Sequence, residues 1–217
     1  MSPQFDAVLF DLLTALLDSW TLWNDVAGSP ARGRQWRAAY LRRTYGAGHY
    51  RPYEVLVAEA AREVGLPCGM AGLLAARYDE LCAWPDVDAA LAALVQGGVR
   101  LGVATNCSER LGRRAVRRIA APFAAVITAE RAGYYKPDPR PYQLALSELR
   151  VMPERCLFVA GSGYDLIGAT RVGLPVWWHD RIGMEKPAGA PEPVRHTRDL
   201  AGLAHFVLAI GPGTVAN

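Results

Sequence analysis

The sequence predicts an α/β protein whose core is a doubly wound parallel sheet, interrupted after its first strand by a helical insert. Two observations support this prediction. Short apolar runs, typical of strands buried on both faces, alternate with amphipathic helical patterns. Residues 18–84 break the alternation, because they contain several helical stretches but no convincing strand. We therefore expect a core domain of residues 1–17 and 85–217 and a helical cap domain of residues 18–84.

Five apolar runs are the candidate strands. In chain order they are residues 7–12, 99–106, 125–128, 156–161 and 175–179. Each is short and uninterrupted, as expected of strands in a parallel sheet covered on both faces. Because the insert follows the first run directly, it would lie over the carboxyl edge of the sheet, where ligands bind in doubly wound folds.

Helical patterns fill the insert, where residues 34–46 and 52–66 carry the clearest ones. A different composition marks the end of the chain. After about residue 187 it is rich in proline, glycine and alanine, so we expect irregular structure there before a last short helix near residues 200–208.

The helices between the core strands have recognisable ends. Asp86 and Ser108 are candidate N-caps of two of them, and Asp165 begins a third. Glycines end the first helix at Gly97 and the third near Gly173. Strands that alternate with helices in this way predict parallel crossover units.

The composition argues against several classes of protein. Apolar residues are 51% and charged residues 21% of the 217, so the chain can bury a sizeable core and wholesale disorder is not expected. The net charge is only +3. Four arginines share one predicted helix without interleaved aromatic residues, which predicts a solvated helix face and not a nucleic-acid site: Arg113, Arg114, Arg117 and Arg118. No apolar run approaches the roughly 20 residues that a membrane helix needs.

Cysteine usage and the N-terminal segment suggest a reducing compartment. The four cysteines are scattered, with neither a CxxC pair nor a histidine cluster, so no zinc site or disulfide framework is predicted. The first eleven residues lack the basic region of a signal peptide. We therefore expect a cytoplasmic protein. The sequence leaves open whether Trp20, Trp23 and the other aromatic residues of the insert form core or the surface of a homodimer.

Polar residues end or follow the candidate strands. Asp11 ends the first, Thr105 and Asn106 end the second, Lys136 follows the third, and Asp165 follows the fourth. Because the carboxyl ends of parallel strands meet at one edge, these side chains can form one site. Lys136 is one of only two lysines beside 22 arginines, which suggests a need for a compact ammonium group there.

Each of these residues also has a simpler explanation when it is taken alone. Asp11 and Asp165 are each able to cap the helix that follows them, and Lys136 could be an exposed loop lysine. The order of the segments is more specific than any one of them: Asp, Thr-Asn, Lys-Pro, then Gly-Ser-x-x-Asp.

In that order, the segments resemble the motifs of the haloacid dehalogenase superfamily over essentially the whole chain, and the insert resembles that superfamily's helical cap. The resemblance implies a Rossmann-type core. It also implies that Asp11 attacks the substrate and forms a covalent ester, while Thr105 and Lys136 stabilise charge. Asp165 would then either bind magnesium or position the hydrolytic water.

Within the superfamily, the chain is more similar to the L-2-haloacid dehalogenase branch than to the phosphatases. Phosphatases carry a second aspartate as general acid where this chain has Leu13, which transfers no proton. Residues 135–142 match the Y-K-P-D-x-R-x-Y motif of the dehalogenase branch. Halide leaves without a proton, so the resemblance implies no cofactor. Magnesium on Asp11 and Asp165 is expected only if the chain is a phosphatase.

The resemblance also implies the substrate contacts. Trp36-Arg37 occupies the place of a Trp-Arg pair in the branch, so Arg37 is expected to bind the carboxylate of a small anionic substrate. Thr105 and the N–H groups around Asn106 would share that carboxylate, and Asn106 would help to hold the halide. Tyr142 is expected to support the lysine–aspartate pair by hydrogen bonding.

Two motifs depart from the branch. Thr14-Ala15 stands where the family has Gly-Thr, so the hydroxyl has moved by one residue or been lost. In the fourth motif S-S-N-x-x-D, Ala160-Gly161 replaces both serines and Ser162 replaces the asparagine, so Ser162 is the residue of this motif that is expected to contact the substrate. Three functions therefore stay open: a 2-haloacid dehalogenase, a divergent magnesium-dependent phosphatase, and a catalytically weak member that binds an anion or a partner.

Overall fold

The core of the protein is one six-stranded sheet. The computed structural model describes residues 3–209, and within them the strands are β1 (Ala7–Phe10), β2 (Arg100–Thr105), β3 (Phe123–Thr128), β4 (Cys156–Ala160), β5 (Val176–His179) and β6 (Arg195–Thr197). Their order across the sheet is β3-β2-β1-β4-β5-β6, and all neighbours run parallel. The chain first extends the sheet on one side of β1 and then on the other, which confirms the predicted doubly wound fold.

Within residues 3–209, ten α-helices lie between and around these strands. They are α1 (Ser19–Ala27), α2 (Pro30–Gly46), α3 (Tyr53–Glu63), α4 (Met70–Ala76), α5 (Val87–Gln96), α6 (Glu109–Val116), α7 (Ala129–Ala132), α8 (Pro139–Leu149), α9 (Asp165–Arg171) and α10 (Leu203–Leu208). A π-helical turn, Leu12–Leu16, follows β1 directly. Among the helices of residues 3–209, none combines the length and the apolar character that a membrane crossing requires.

The two central strands, β1 and β4, are apolar at every position because both faces of the sheet are covered. In β1, Val8 and Phe10 join the larger apolar cluster, while Ala7 and Leu9 join the smaller one on the opposite face. Successive side chains of a strand point to opposite faces, so an uninterrupted apolar run is what two buried faces require.

The insert consists of α1 to α4, which pack on one another. The predicted helical stretch 34–46 is part of α2, which begins four residues earlier, where Ser29 caps it. The predicted stretch 52–66 contains α3, which ends at Glu63, three residues before the predicted end. The larger apolar cluster runs without a break from the buried Trp36 of α2 to β1. The division into domains at residues 18 and 84 therefore stays a prediction.

The predicted helix caps were wrong in two places. The helix after Asp86 ends at Gly97 as predicted, but the Asp86 carboxylate accepts from the Leu200 N–H and pairs with Arg181 instead of capping. Ser108 precedes α6, yet its hydroxyl donates to Glu54 of the insert, 2.9 Å away. Both side chains make long-range contacts that a local pattern does not contain.

The tail after residue 187 was predicted to be irregular, and this was wrong for three residues. β6 pairs in parallel with β5, with Trp177 opposite Arg195 and His179 opposite Thr197. Its sequence, Arg-His-Thr, has no apolar run, so its strand geometry comes from backbone pairing at the sheet edge. The last short helix is present as α10.

The arginine face of α6 is partly used within the protein. Arg114 forms an ion pair with Asp79 and donates to the Ala75 carbonyl, and Arg118 donates to the Leu81 carbonyl. These contacts join α6 and the turn after it to the end of the insert. The prediction that the four arginines share one helix was wrong for Arg117 and Arg118, which lie past the end of α6, although both are exposed, as is Arg113.

Candidate active site

The predicted site residues meet at the carboxyl edge of the sheet, beneath α1 and α2. A cavity of about 50 Å³ opens there. Its lining includes seven of the predicted residues: Asp11, Arg37, Thr105, Asn106, Lys136, Ser162 and Asp165. Leu13, Thr14 and four side chains of the insert complete the wall: Trp20, Tyr40, Leu41 and Tyr45.

At the centre of the cavity floor, Lys136 joins two carboxylates. Its ammonium lies 2.8 Å from Asp11 Oδ1 and 3.0 Å from Asp165 Oδ1, and the three side chains are 9% exposed or less. The Tyr142 hydroxyl donates to Asp165 at 3.1 Å. Tyr142 lies behind Asp165 and not on the cavity wall, so its position suits support of the pair and not contact with a substrate.

The second oxygen of Asp11 is held by the turn that follows it. Asp11 Oδ2 accepts from the Thr14 N–H at 2.8 Å, the Thr14 hydroxyl at 2.5 Å and the Ala15 N–H at 3.4 Å. Asp11 therefore caps the π-helical turn and pairs with Lys136 at the same time. The Thr14 hydroxyl, which is displaced by one residue from its place in the family motif, thus donates to the Asp11 carboxylate.

Burial and charge act on Asp11 and Lys136 in opposite directions. Burial alone would raise the pKa of Asp11, but the Lys136 charge and hydrogen bond, together with the Thr14 bonds, hold that pKa below its ordinary value. Burial alone would lower the pKa of Lys136, and its two carboxylate neighbours raise it above its ordinary value instead. Asp11 is therefore ionised, and Lys136 charged, across the neutral range.

Asp165 is shifted the other way. Burial and the neighbouring negative charge of Asp11 outweigh Lys136 and raise the pKa of Asp165 to about 6. Two carboxylates with pKa values driven apart by their surroundings are suited to different roles. The stronger acid suits a nucleophile, and the weaker one suits a general base that works near neutral pH.

Arg37 reaches the cavity from α2. Its side chain is buried, its Nη1 donates to the Ser19 hydroxyl at 2.8 Å, and its guanidinium lies 4.1 Å from the centre of the Trp20 ring. Within residues 3–209, no carboxylate forms an ion pair with Arg37. A buried guanidinium held in this way is ready to bind an anion that enters the cavity.

Asn106 connects the second and third motifs. Its amide oxygen accepts from the Lys136 N–H at 2.7 Å, and its amide nitrogen donates to the Lys136 carbonyl at 2.9 Å. The side chain thus fixes the backbone that carries Lys136 as well as lining the cavity. Thr105 and Ser162 also lie on the wall, where Ser162 accepts from the Tyr164 N–H at 3.4 Å.

Sequence reasoning missed the wall that the insert supplies. Leu41 and Tyr45 follow Arg37 at spacings of four and eight residues on α2, so they share its face of the helix. This helical spacing from Arg37 is the sequence signal that places Leu41 and Tyr45 on the wall of the cavity. Trp20, Leu41 and Tyr45 also border an open groove of about 740 Å³, so they separate this groove from the cavity.

The donor set does not fit a magnesium ion. Asp11 and Asp165 share the Lys136 ammonium, and the remaining Asp11 oxygen is bound by Thr14 and Ala15. Magnesium prefers an octahedron of oxygens, and in residues 3–209 no group of three or more His, Cys, Asp or Glu side chains could hold a metal. A lysine between the two carboxylates supplies the compensating charge instead.

Known proteins with a similar sequence and fold include several dehalogenases. Residues 6–173 match the family described as haloacid dehalogenase-like hydrolase. The (S)-2-haloacid dehalogenase H-109 of Pseudomonas putida is 29% identical over 224 residues, which cover 96% of this chain and 100% of that protein.

Two solved structures have a similar fold. The crystal structure of an L-2-haloacid dehalogenase, RSc1362, has a TM-score of 0.83 with 27% identity and covers 96% of this chain and 100% of its own. An L-2-haloacid dehalogenase from Xanthobacter autotrophicus, with chloropropionic acid covalently bound, has a TM-score of 0.82 with 22% identity, covering 95% of this chain and all of its own. With the family match over most of its length, this chain belongs to the haloacid dehalogenase-like hydrolase family.

Proposed function

We propose that this protein is a hydrolase that displaces halide from a small 2-haloalkanoic acid through an ester on Asp11. The observation that carries the proposal is the arrangement of charges in the cavity. The ionised Asp11, which is paired with Lys136, lines the same small cavity as Arg37. Among residues 3–209, Arg37 has no carboxylate partner. The cavity is small, about 50 Å³, so the ligand that it admits is a small one.

In the first step, Asp11 Oδ1 attacks C2 of the substrate, the C2–halogen bond breaks, and halide leaves with the bonding electrons. Inversion at C2 follows from in-line attack. Arg37 binds the substrate carboxylate through its guanidinium, with Thr105 and the N–H groups around Asn106 beside it, and Arg37 and Asn106 receive the departing halide. No proton is needed, which suits a site where Leu13 stands at the general-acid position of a phosphatase.

In the second step, water attacks the Asp11 carbonyl carbon of the ester. Asp165 accepts the proton of that water, and Lys136 holds Asp165 and the ester in place. Release of the 2-hydroxy acid restores the Asp11 carboxylate. The related enzymes support this scheme, because the P. putida relative is a 2-haloacid dehalogenase and the X. autotrophicus structure holds chloropropionic acid covalently.

The most direct test is halide release from a panel of 2-haloacids with and without chelator. We expect release from short-chain (S)-2-halo acids at the same rate in both conditions, because Lys136 and not a metal neutralises the two carboxylates. Release that stops with chelator and returns with magnesium favours the phosphatase alternative. No halide from any acid, with binding of the acids retained, favours the binding-protein alternative.

The pH dependence should separate the two steps. Ester formation needs ionised Asp11, whose pKa lies below its ordinary value, so it should vary little between pH 5 and 8. Ester hydrolysis needs ionised Asp165, whose pKa is about 6 in the free enzyme. Esterification removes the Asp11 charge that helps to raise this pKa, so the midpoint for hydrolysis should lie at or below about 6.

Rapid-quench measurements at pH 5 and pH 8 check this expectation. Hydrolysis of the preformed ester should be slower at pH 5, by up to about tenfold, while ester formation is nearly unchanged, so ester accumulates in acid. A midpoint well above 7, or an equal fall in both steps, contradicts the assignment of Asp165 as the base.

A further inference from the structure

We propose that the Thr14 hydroxyl completes an oxyanion hole for hydrolysis of the Asp11 ester, and that Gly161 exists to make room for it. The inference rests on the proposed function and assigns a role to the two motifs that depart from the dehalogenase branch. Its basis is that the two oxygens of Asp11 have different partners.

The hydrogen-bond partners distinguish the two oxygens of the Asp11 carboxylate. Oδ1 has one hydrogen-bond donor, the Lys136 ammonium at 2.8 Å. Oδ2 has three donors from the following turn: the N–H and hydroxyl of Thr14 at 2.8 and 2.5 Å, and the N–H of Ala15 at 3.4 Å. Three donors occupy the lone-pair directions of Oδ2, whereas the single contact with Lys136 leaves a lone pair of Oδ1 free, so Oδ1 is the oxygen that attacks C2.

This division determines where charge develops in the second step. Once Oδ1 carries the substrate carbon, Oδ2 is the ester carbonyl oxygen. Water attacks Cγ and gives its proton to Asp165, and the carbonyl electron pair moves onto Oδ2. When the intermediate collapses, the Cγ–Oδ1 bond breaks, Oδ1 leaves as the hydroxyl of the 2-hydroxy acid with the proton returned from Asp165, and the solvent oxygen remains on Asp11.

The three donors on Oδ2 are therefore aimed at the atom that becomes an oxyanion. Donors placed in advance around such an atom stabilise the transition state without reorganisation. The turn that carries them is itself fixed, because the Thr14 carbonyl accepts from Trp84 Nε1 at 3.0 Å and the Ala15 carbonyl accepts from His179 Nδ1 at 2.9 Å.

Gly161 allows this turn to lie so close to β4. A Cβ atom at residue 161 would be 2.2 Å from the Ala15 nitrogen, 2.2 Å from the Thr14 hydroxyl and 2.4 Å from the Thr14 carbonyl carbon. Real Cβ contacts are essentially never below 3.0 Å, so any side chain here would displace the donors. A threonine hydroxyl at residue 14 in this position therefore requires a glycine at residue 161.

Thr14→Val is the test, because valine keeps the shape and the N–H and removes only the hydroxyl. At pH 8, where Asp11 is ionised, we expect ester hydrolysis to slow by about 10²-fold while ester formation changes little. Intact-protein mass measurement should then show the alkylated enzyme accumulating in the steady state. Thr14→Ser should restore hydrolysis to near the wild-type rate.

Thr21→Val is a matched control. The Thr21 hydroxyl donates to Asp18 at 2.7 Å in the same cap geometry, but on the exposed N-terminus of α1 and outside the cavity. It should leave both steps unchanged. Gly161→Ala should reproduce the Thr14→Val accumulation if the variant folds by circular dichroism, and the Thr14 variants decide the question alone if it does not.

The outcomes distinguish this inference from the proposed function. If the ester forms in both the wild type and Thr14→Val and is hydrolysed at equal rates, the oxyanion role of Thr14 is wrong. The dehalogenase proposal is unaffected by that result. A Thr14→Val enzyme that slows equally in both steps also overturns it, since the hydroxyl then serves only to order Asp11. Absence of any ester in the wild type overturns the proposed function itself.

Discussion

Asp11→Asn is expected to abolish turnover, with a loss of at least about 10⁴-fold in kcat, while the protein stays folded. The amide has the shape of the carboxylate, yet it has no charged oxygen with which to attack C2. Its carbonyl oxygen can still accept from the turn that follows. The measurement is single-turnover halide release, combined with a thermal unfolding curve that verifies the fold.

Asp6→Asn is the matched control for this variant. Asp6 precedes the opposite end of the same strand, where it pairs with Arg155 at 2.7 Å. Losing that partly exposed pair should cost about 1 kcal/mol or less of unfolding free energy and leave kcat unchanged. If Asp11→Asn keeps more than about one hundredth of the wild-type rate, a different group is the nucleophile.

Lys136→Met should be damaging to both activity and stability. The substitution leaves Asp11 and Asp165 buried side by side without their shared cation, which destabilises the fold by about 3–5 kcal/mol at neutral pH. Without Lys136 the pKa values of both carboxyls rise, so ester formation slows because less Asp11 is ionised. Protonation relieves the repulsion, and the loss of stability should therefore be larger at pH 8 than at pH 5.

The chain offers a close control in its only other lysine. Lys186 is exposed and pairs with Glu192, so Lys186→Met should change neither unfolding nor turnover measurably. Chemical denaturation of both variants at pH 5 and pH 8, beside halide assays, gives the comparison. A Lys136→Met protein as stable as the wild type at pH 8 contradicts the buried ion-pair network.

The sheet and the positions of the charged site residues were predictable because their signals are local and strong. An apolar run has to be buried, and a charged residue directly after it lies at the edge of the sheet. Asp11 follows from that reasoning directly, whereas Lys136 and Asp165, eight and five residues after the ends of β3 and β4, follow from the order of the motifs. The edge strand β6 did not follow, because three polar residues carry no pattern and depend on pairing with β5.

The role of Thr14 could not be predicted from the motif comparison, which registered only a displaced hydroxyl. A turn can bring a hydroxyl at residue 14 onto Asp11, but the space for it depends on residue 161, directly after β4. The partners of Asp86 and Ser108 were missed for the same reason. Each depends on distant residues that the fold brings close.

A single turnover in heavy-oxygen water, with enzyme in excess, is the most direct test for a covalent ester on Asp11. The mechanism predicts one solvent oxygen on the Asp11 carboxylate and none in the 2-hydroxy acid, because water attacks Cγ of Asp11 and not C2 of the substrate. Peptide mass analysis locates the label on Asp11. Product that carries the solvent oxygen while Asp11 stays unlabelled would show that water attacks C2 directly and that no ester forms on Asp11.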